Sequence, residues 1–127
     1  MNEYRDDRLA FYWYEGILIC DWLAEHADLQ LVEDGIRIRR EMTGDKKIVM
    51  LSDIRKLKTI TREARERLSG KDGGENVVAV AIVINSKIQM VLYNFFTQIY
   101  KAPSPTKLFI NKEEAIQWCK KFLNETI

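Results

Sequence analysis

Asn76-Val77-Val78-Ala79-Val80-Ala81-Ile82-Val83-Ile84 is the stretch that decides the fold. One polar residue is followed by eight apolar ones, rich in Val and Ile and without alternation. A strand with one wet face alternates apolar and polar side chains. An unbroken run of this kind reads as a strand covered on both faces, at the centre of a parallel sheet. It is the longest apolar run in the chain and far short of the ~20 residues a bilayer requires, so no membrane span is expected.

Upstream, Ala10–Tyr14 and Ile17–Trp22 are apolar, aromatic runs around Glu15-Gly16, which predicts a hairpin closed by a two-residue turn. Ala27–Gly44 changes period. Leu31, Gly35, Ile38 and Met42 fall on one helical face, with Gly44 placed to end the helix in a left-handed cap. Gly35 costs that helix ~1 kcal/mol against Ala, which close packing on a strand would explain. Lys47–Ser52 is a short strand running into Asp53. Thr61 fits the N-cap of a helix that buries Ala64 and Leu68 and stops at Gly70.

Downstream, Ser86 with Gln89 forms a capping-box pattern that opens a helix to about Lys101. Pro103-Ser104-Pro105 breaks the chain, and Lys107–Ile110 is a short last strand. Asn111 with Glu114 caps a final helix that buries Ala115, Trp118, Cys119 and Phe122. The order β-β-α-β-α-β-α-β-α predicts one α/β domain over residues 1–127. It consists of an N-terminal β-hairpin followed by βαβα units, a mixed, mostly parallel sheet of about five strands and about four helices.

The 127 residues are 46% hydrophobic and 31% charged, which fits a globular domain and excludes disorder. Cys20 and Cys119 sit in apolar runs far apart and read as buried, reduced thiols. With His26, read as a loop residue, they are too scattered for a zinc site. Met1–Arg8 is polar and mixed in charge, unlike a signal peptide, so a cytoplasmic location is expected. No nucleophile–base arrangement or phosphate-loop pattern is present, and Gly70–Glu75 reads as a plain helix-to-strand connection. Neither catalysis nor a cofactor is expected.

The net charge of +1 hides an asymmetry. Residues 37–71 hold 12 Lys+Arg against 5 Asp+Glu, and the remainder 8 against 14. The basic window reads either as solvated, ion-paired helix faces or as a binding surface for an anion, nucleotide or lipid. It contains no aromatic residue on which bases could stack, so nucleic acid is not an expected partner.

Leu51-Ser52-Asp53-Ile54-Arg55-Lys56-Leu57-Lys58-Thr59-Ile60-Thr61 resembles a segment of the STAS-like fold, the fold of sulfate-transporter domains and anti-sigma-factor antagonists. Tyr12–Ile17, Asn94-Phe95-Phe96 and Pro103–Phe109 are similar to segments of small stand-alone bacterial STAS/Sec14-like proteins. The resemblance spans nearly the whole chain. It implies a non-enzymatic bacterial protein-interaction domain. The family's phosphorylated Asp-Ser-Ser-Gly motif falls on Thr61-Arg62-Glu63-Ala64, where Glu63 replaces the modified Ser, so that switch is not carried over.

Ligands of open α/β sheets bind at the carboxyl ends of the strands. The candidate partner- or ligand-binding residues at that edge are Asp53, Arg55, Lys56, Lys58, Thr61, Asn85, Ser86 and Lys87. Asp21, Glu25 and His26 join them if the second hairpin strand runs parallel to the next. The helix from Ser86 is apolar over most of its circumference, and Met90, Tyr93, Phe96 and Tyr100 are candidates for a homodimer seam. Two readings follow: an unknown protein partner at the carboxyl edge, or a small anion, nucleotide or lipid held by the basic region and the apolar helix.

Overall fold

Glu15 and Gly16 both have positive φ, 49° and 87°, the backbone of a hairpin turn whose twist matches the strands it joins. The computed structural model describes residues 2–68, 70, 75–85 and 104–123. The turn closes the expected hairpin, β2 (Leu9–Tyr14) on β3 (Ile17–Trp22), in antiparallel register from Tyr14↔Ile17 to Leu9↔Trp22. A further strand, β1 (Glu3–Arg5), pairs on the outer side of β2. Its three residues are exposed or half-buried, too short and too polar to announce a strand.

β5 (Ile48–Asp53), β7 (Val77–Val83) and β8 (Thr106–Phe109) continue the sheet in parallel beyond β3. The order is β1-β2-β3-β5-β7-β8, so the all-apolar β7 lies inside the sheet, as the sequence requires. The result is a mixed, mostly parallel sheet of six strands. β4 (His26–Ala27) and β6 (Thr59–Ile60) form a separate parallel ribbon. His26 therefore stands in a short strand and not in a free loop, because the Glu25 carbonyl accepts from Lys58 and Thr59 N–H at 2.7 and 3.1 Å.

α1 (Leu29–Thr43) links β3 to β5, and α2 (Arg62–Leu68) links β5 to β7. Both steps move the same way across the sheet, and right-handed crossovers put both helices on one face. There Leu31 and Ile38 pack with Leu18, Cys20, Ile82 and Ile84. Val32 and Ile36 meet Ala64 of α2. α3 (Lys112–Leu123) follows β8 and covers the opposite face. It packs Ala115, Ile116 and Cys119 against Ile17, Ile19, Val49, Leu51, Ala79 and Ala81. The helix expected from Ser86 to Lys101 lies outside the described residues.

Three helices are capped at their starts, at Thr61 and Asn111 as the sequence predicts and at Asp28 in addition. Asp28 accepts the Leu31 N–H at 2.9 Å, Thr61 accepts that of Ala64 at 3.2 Å, and Asn111 accepts that of Glu114 at 3.0 Å. The end of α1 differs from expectation. Gly44 has φ 56° but ψ −128°, so the chain leaves the helix extended and not through a left-handed helical cap. The final strand ends at Phe109, leaving Ile110 63% exposed. Both thiols are buried and unpaired.

Gly35 faces Leu9 of β2, but a Cβ there would stand 3.6 Å from Leu9 Cδ1. That is an ordinary contact, so close packing does not demand glycine. Gly35→Ala is expected to raise stability by about 0.5–1 kcal/mol, through the lower backbone entropy of the unfolded chain and better helix propensity. Urea unfolding midpoints at constant slope measure it.

Candidate carboxyl-edge site

Parallel register lines up the strand ends. Asp21 pairs with Asp53, Asp53 with Val83, and Val83 with Phe109. Asn85 follows two residues beyond Val83, at the same rim. Register partners on adjacent strands share a face, so Asp21 and Asp53 stand side by side on the face that α3 covers.

Two cations answer them. Arg55, two residues beyond Asp53, grips it with one edge of its guanidinium: Nε donates to Oδ1 at 3.0 Å and Nη2 to Oδ2 at 2.7 Å. The Arg55 N–H adds a bond to Oδ1 at 3.2 Å. Bidentate Arg–carboxylate geometry of this kind is among the stronger polar contacts in proteins. From the other side, Lys112 Nζ lies 3.4 Å from Asp21 Oδ1, 3.5 Å from Asp53 Oδ2 and 3.4 Å from Tyr12 OH.

These contacts set the proton affinities. Burial pushes the Asp53 carboxyl up, but the Arg55 bonds and the charges of Arg55 and Lys112 outweigh it and hold it below the usual carboxylate range. Burial pulls Lys112 down, and the charge of Asp21, with Tyr12 and Asp53 beyond it, more than restores it. Tyr12 is raised by burial and then by the charge of Asp21. The Cys20 thiol is driven far up by burial, and Cys119 is pushed up to about 12 by the same cause, so neither is a nucleophile at neutral pH.

The other candidates divide between this rim and the adjoining ribbon. Lys58 is ion-paired with Glu25, and His26 Nδ1 lies 2.7 Å from Thr59 Oγ1. Lys56 is exposed, and Asn85 is half-buried. The Thr61 hydroxyl is occupied as a cap. Ser86, Lys87 and the expected seam of Met90, Tyr93, Phe96 and Tyr100 lie outside the described residues. Sequence reasoning missed Tyr12 and Lys112. A lysine as the first residue of a helix, where the dipole disfavours a cation, was the available signal.

The basic window 37–71 resolves largely into ion pairs. Arg37 meets Asp34 and Glu41, Arg40 meets Glu75, Arg62 meets Glu66 and Arg67 meets Glu33. Arg39 is 3% exposed, not on a solvated face, and donates to the Glu75 carbonyl at 3.0 Å.

A family model matches residues 11–123. The chain belongs to DUF7793, a domain of unknown function. Among solved structures, this DUF7793 chain is similar to an uncharacterized protein of the DUF3478 family with a SpoIIAA-like fold from Shewanella loihica PV-4. The identity is 19%, the match covers 87% of this chain and 91% of that one, and the TM-score is 0.68. At that identity the likeness establishes the fold, which is STAS-like. No curated protein matches. Among the described residues of the DUF7793 chain, no helix is long and apolar enough to cross a membrane.

The sign of the Asp53 linkage is fixed by its depressed pKa. Its contribution is fully present above the unfolded carboxylate value, near ~4, and is lost as pH falls through the lower folded value. Asp53→Asn is expected to cost about 1–3 kcal/mol at neutral pH, by leaving Arg55 without its charged partner and Lys112 with Asp21 alone. It is also expected to flatten the loss of stability below pH ~4. Denaturant titrations at neutral and acid pH read both effects.

Proposed function

We propose that this chain is a non-enzymatic STAS-like interaction domain that binds a protein partner through its carboxyl edge. The observation that carries the reading is the rim itself. Parallel register collects Asp21, Asp53, Arg55 and Lys112, while the ribbon beside it presents Glu25, His26, Lys58 and Thr59. The charges there are satisfied by one another and held in fixed geometry. That suits recognition by a complementary surface better than proton transfer, which needs a group poised between two states.

The domain works without the serine switch of anti-sigma-factor antagonists. Glu63 stands in that position, where a first-turn carboxylate suits the helix dipole. The rival reading, a small anion, nucleotide or lipid bound by residues 37–71 and the helix 86–101, has less support. The arginines that were to supply its cations are largely committed to Glu and Asp partners.

Charge reversal tests this without touching Asp53 or Arg55. Lys56 and Lys58 are exposed at the carboxyl edge, and Lys47 is exposed at the amino end of β5. In quantitative capture from the native cell, a partner retained by wild type and by Lys47→Glu is expected to be depleted about tenfold or more by Lys56→Glu/Lys58→Glu, since like-charge juxtaposition costs several kcal/mol. Retention of every partner by the double variant would remove the carboxyl edge as the working surface.

A further inference from the structure

β8 is the last strand of the sheet, and among the described residues no strand pairs with its outer side. Val80 N–H donates to the Pro105 carbonyl at 3.0 Å and Ile84 N–H to that of Phe109 at 2.8 Å. In a parallel ladder this alternation turns the peptide groups of Thr106 and Leu108 outward, away from β7. An edge with free donors and acceptors is a template for another strand.

Beside that edge, between β8 and α3, lies an open hollow of about 400 Å³. Its floor is aromatic: Phe109 and Trp118, with centroids 5.8 Å apart. Its rim is charged and ordered. β8 runs toward the carboxyl edge, and α3 returns from it, beginning at Lys112 beside Asp21 and Asp53. It ends with Leu123 3.5 Å from where a Cβ on Gly16 would stand, at the hairpin turn. Glu113 and Glu114 therefore stand at the carboxyl end of the hollow. Lys121 stands at the amino end, and Lys107 lies on β8 over the Phe109 ring at 5.4 Å. None of these four charges forms an ion pair among the described residues.

A groove that is acidic at one end and basic at the other is complementary to itself when turned end for end. A two-fold axis across β8 performs that reversal, as a closed dimer requires. It pairs the outward peptide groups of Thr106 and Leu108 antiparallel with a second copy and sets one aromatic floor against the other. Parallel addition would put like charges together. We propose that this chain dimerises through the β8 edge, with its Glu113 and Glu114 facing Lys121 of the partner subunit. The seam is distinct from the carboxyl-edge surface and does not rest on that reading. A four-residue strand and one helix flank make a small interface, so the dimer is expected to dissociate on dilution.

Sedimentation equilibrium of the full chain, across micromolar to millimolar concentrations, is expected to show a monomer–dimer equilibrium weakened by salt. Glu114→Lys and Lys121→Glu are each expected to weaken it about tenfold or more, because symmetry repeats each repulsive contact twice. Mixing the two variants restores opposite charges at both contacts and is expected to recover the dimer. Both positions are exposed, and circular dichroism verifies folding. Hydrogen exchange at Thr106 and Leu108 is expected to slow as concentration rises. A monomer at every concentration overturns the proposal, and so does a dimer indifferent to the reversals or not rescued by mixing. Protection of the Leu108 amide independent of concentration also overturns it, since this chain's own residues would then cover the edge.

Discussion

β7 carries seven side chains, Val77 to Val83, none of which can form a hydrogen bond. Its backbone must be paired on both sides, and its side chains must be covered above and below. Those demands place it between β5 and β8 and call for helices on both faces of the sheet. The two faces are of unequal depth. Toward α1 and α2 it presents Val80 and Ile82, and toward α3 it presents Ala79, Ala81 and Val83. Small side chains let α3 lie close, with Ala115 and Cys119 turned inward, and Cys119 Sγ comes within 3.8 Å of the Met50 carbonyl. The axis of α3 is thereby pinned by packing before any charge is considered.

That pinning has an electrostatic consequence. In a parallel sheet adjacent strands lie ~4.8 Å apart, so Asp21 and Asp53 are brought together by the register that buries Ile19 and Leu51. Two neighbouring carboxylates repel each other. A lysine at the first position of a helix opposes the dipole. Each arrangement is unfavourable alone, and together they cancel, since Lys112 lies within 3.5 Å of both carboxylates. Arg55 then closes Asp53 from the solvent side. α3 is thus held along its body by apolar contact and at its start by charge.

What was legible in the sequence was local. The Glu15-Gly16 turn, the caps at Thr61 and Asn111 and the apolar run of β7 each contain their own signal within a few residues, and each stands where it was read. β1 was not legible, because Glu3-Tyr4-Arg5 becomes a strand only when the outer side of β2 offers partners. The ribbon of β4 and β6 joins residues more than thirty positions apart, held by backbone bonds that no side-chain pattern encodes. The rim was half legible. Asp53 and Asn85 follow from strand ends, whereas Tyr12 and Lys112 require knowing that α3 begins above β3 and β5.

The charge asymmetry shows how a count along the chain misleads about a surface. Residues 37–71 carry most of the basic side chains, which in sequence looks like a patch. In space, Arg67 reaches Glu33 from α2 to α1, Lys58 reaches Glu25 between the ribbon strands, and Arg40 reaches Glu75. All three acidic partners lie outside the window. The basic window and the acidic remainder are in large part the two halves of the same ion pairs, separated by chain order and reunited by the crossovers. Exposed pairs of this kind add little stability each, but they use up charge that an anion would otherwise meet. Where both signs stand apart on a single groove, as along β8 and α3, the opposite holds: among the described residues those charges are not spent on one another.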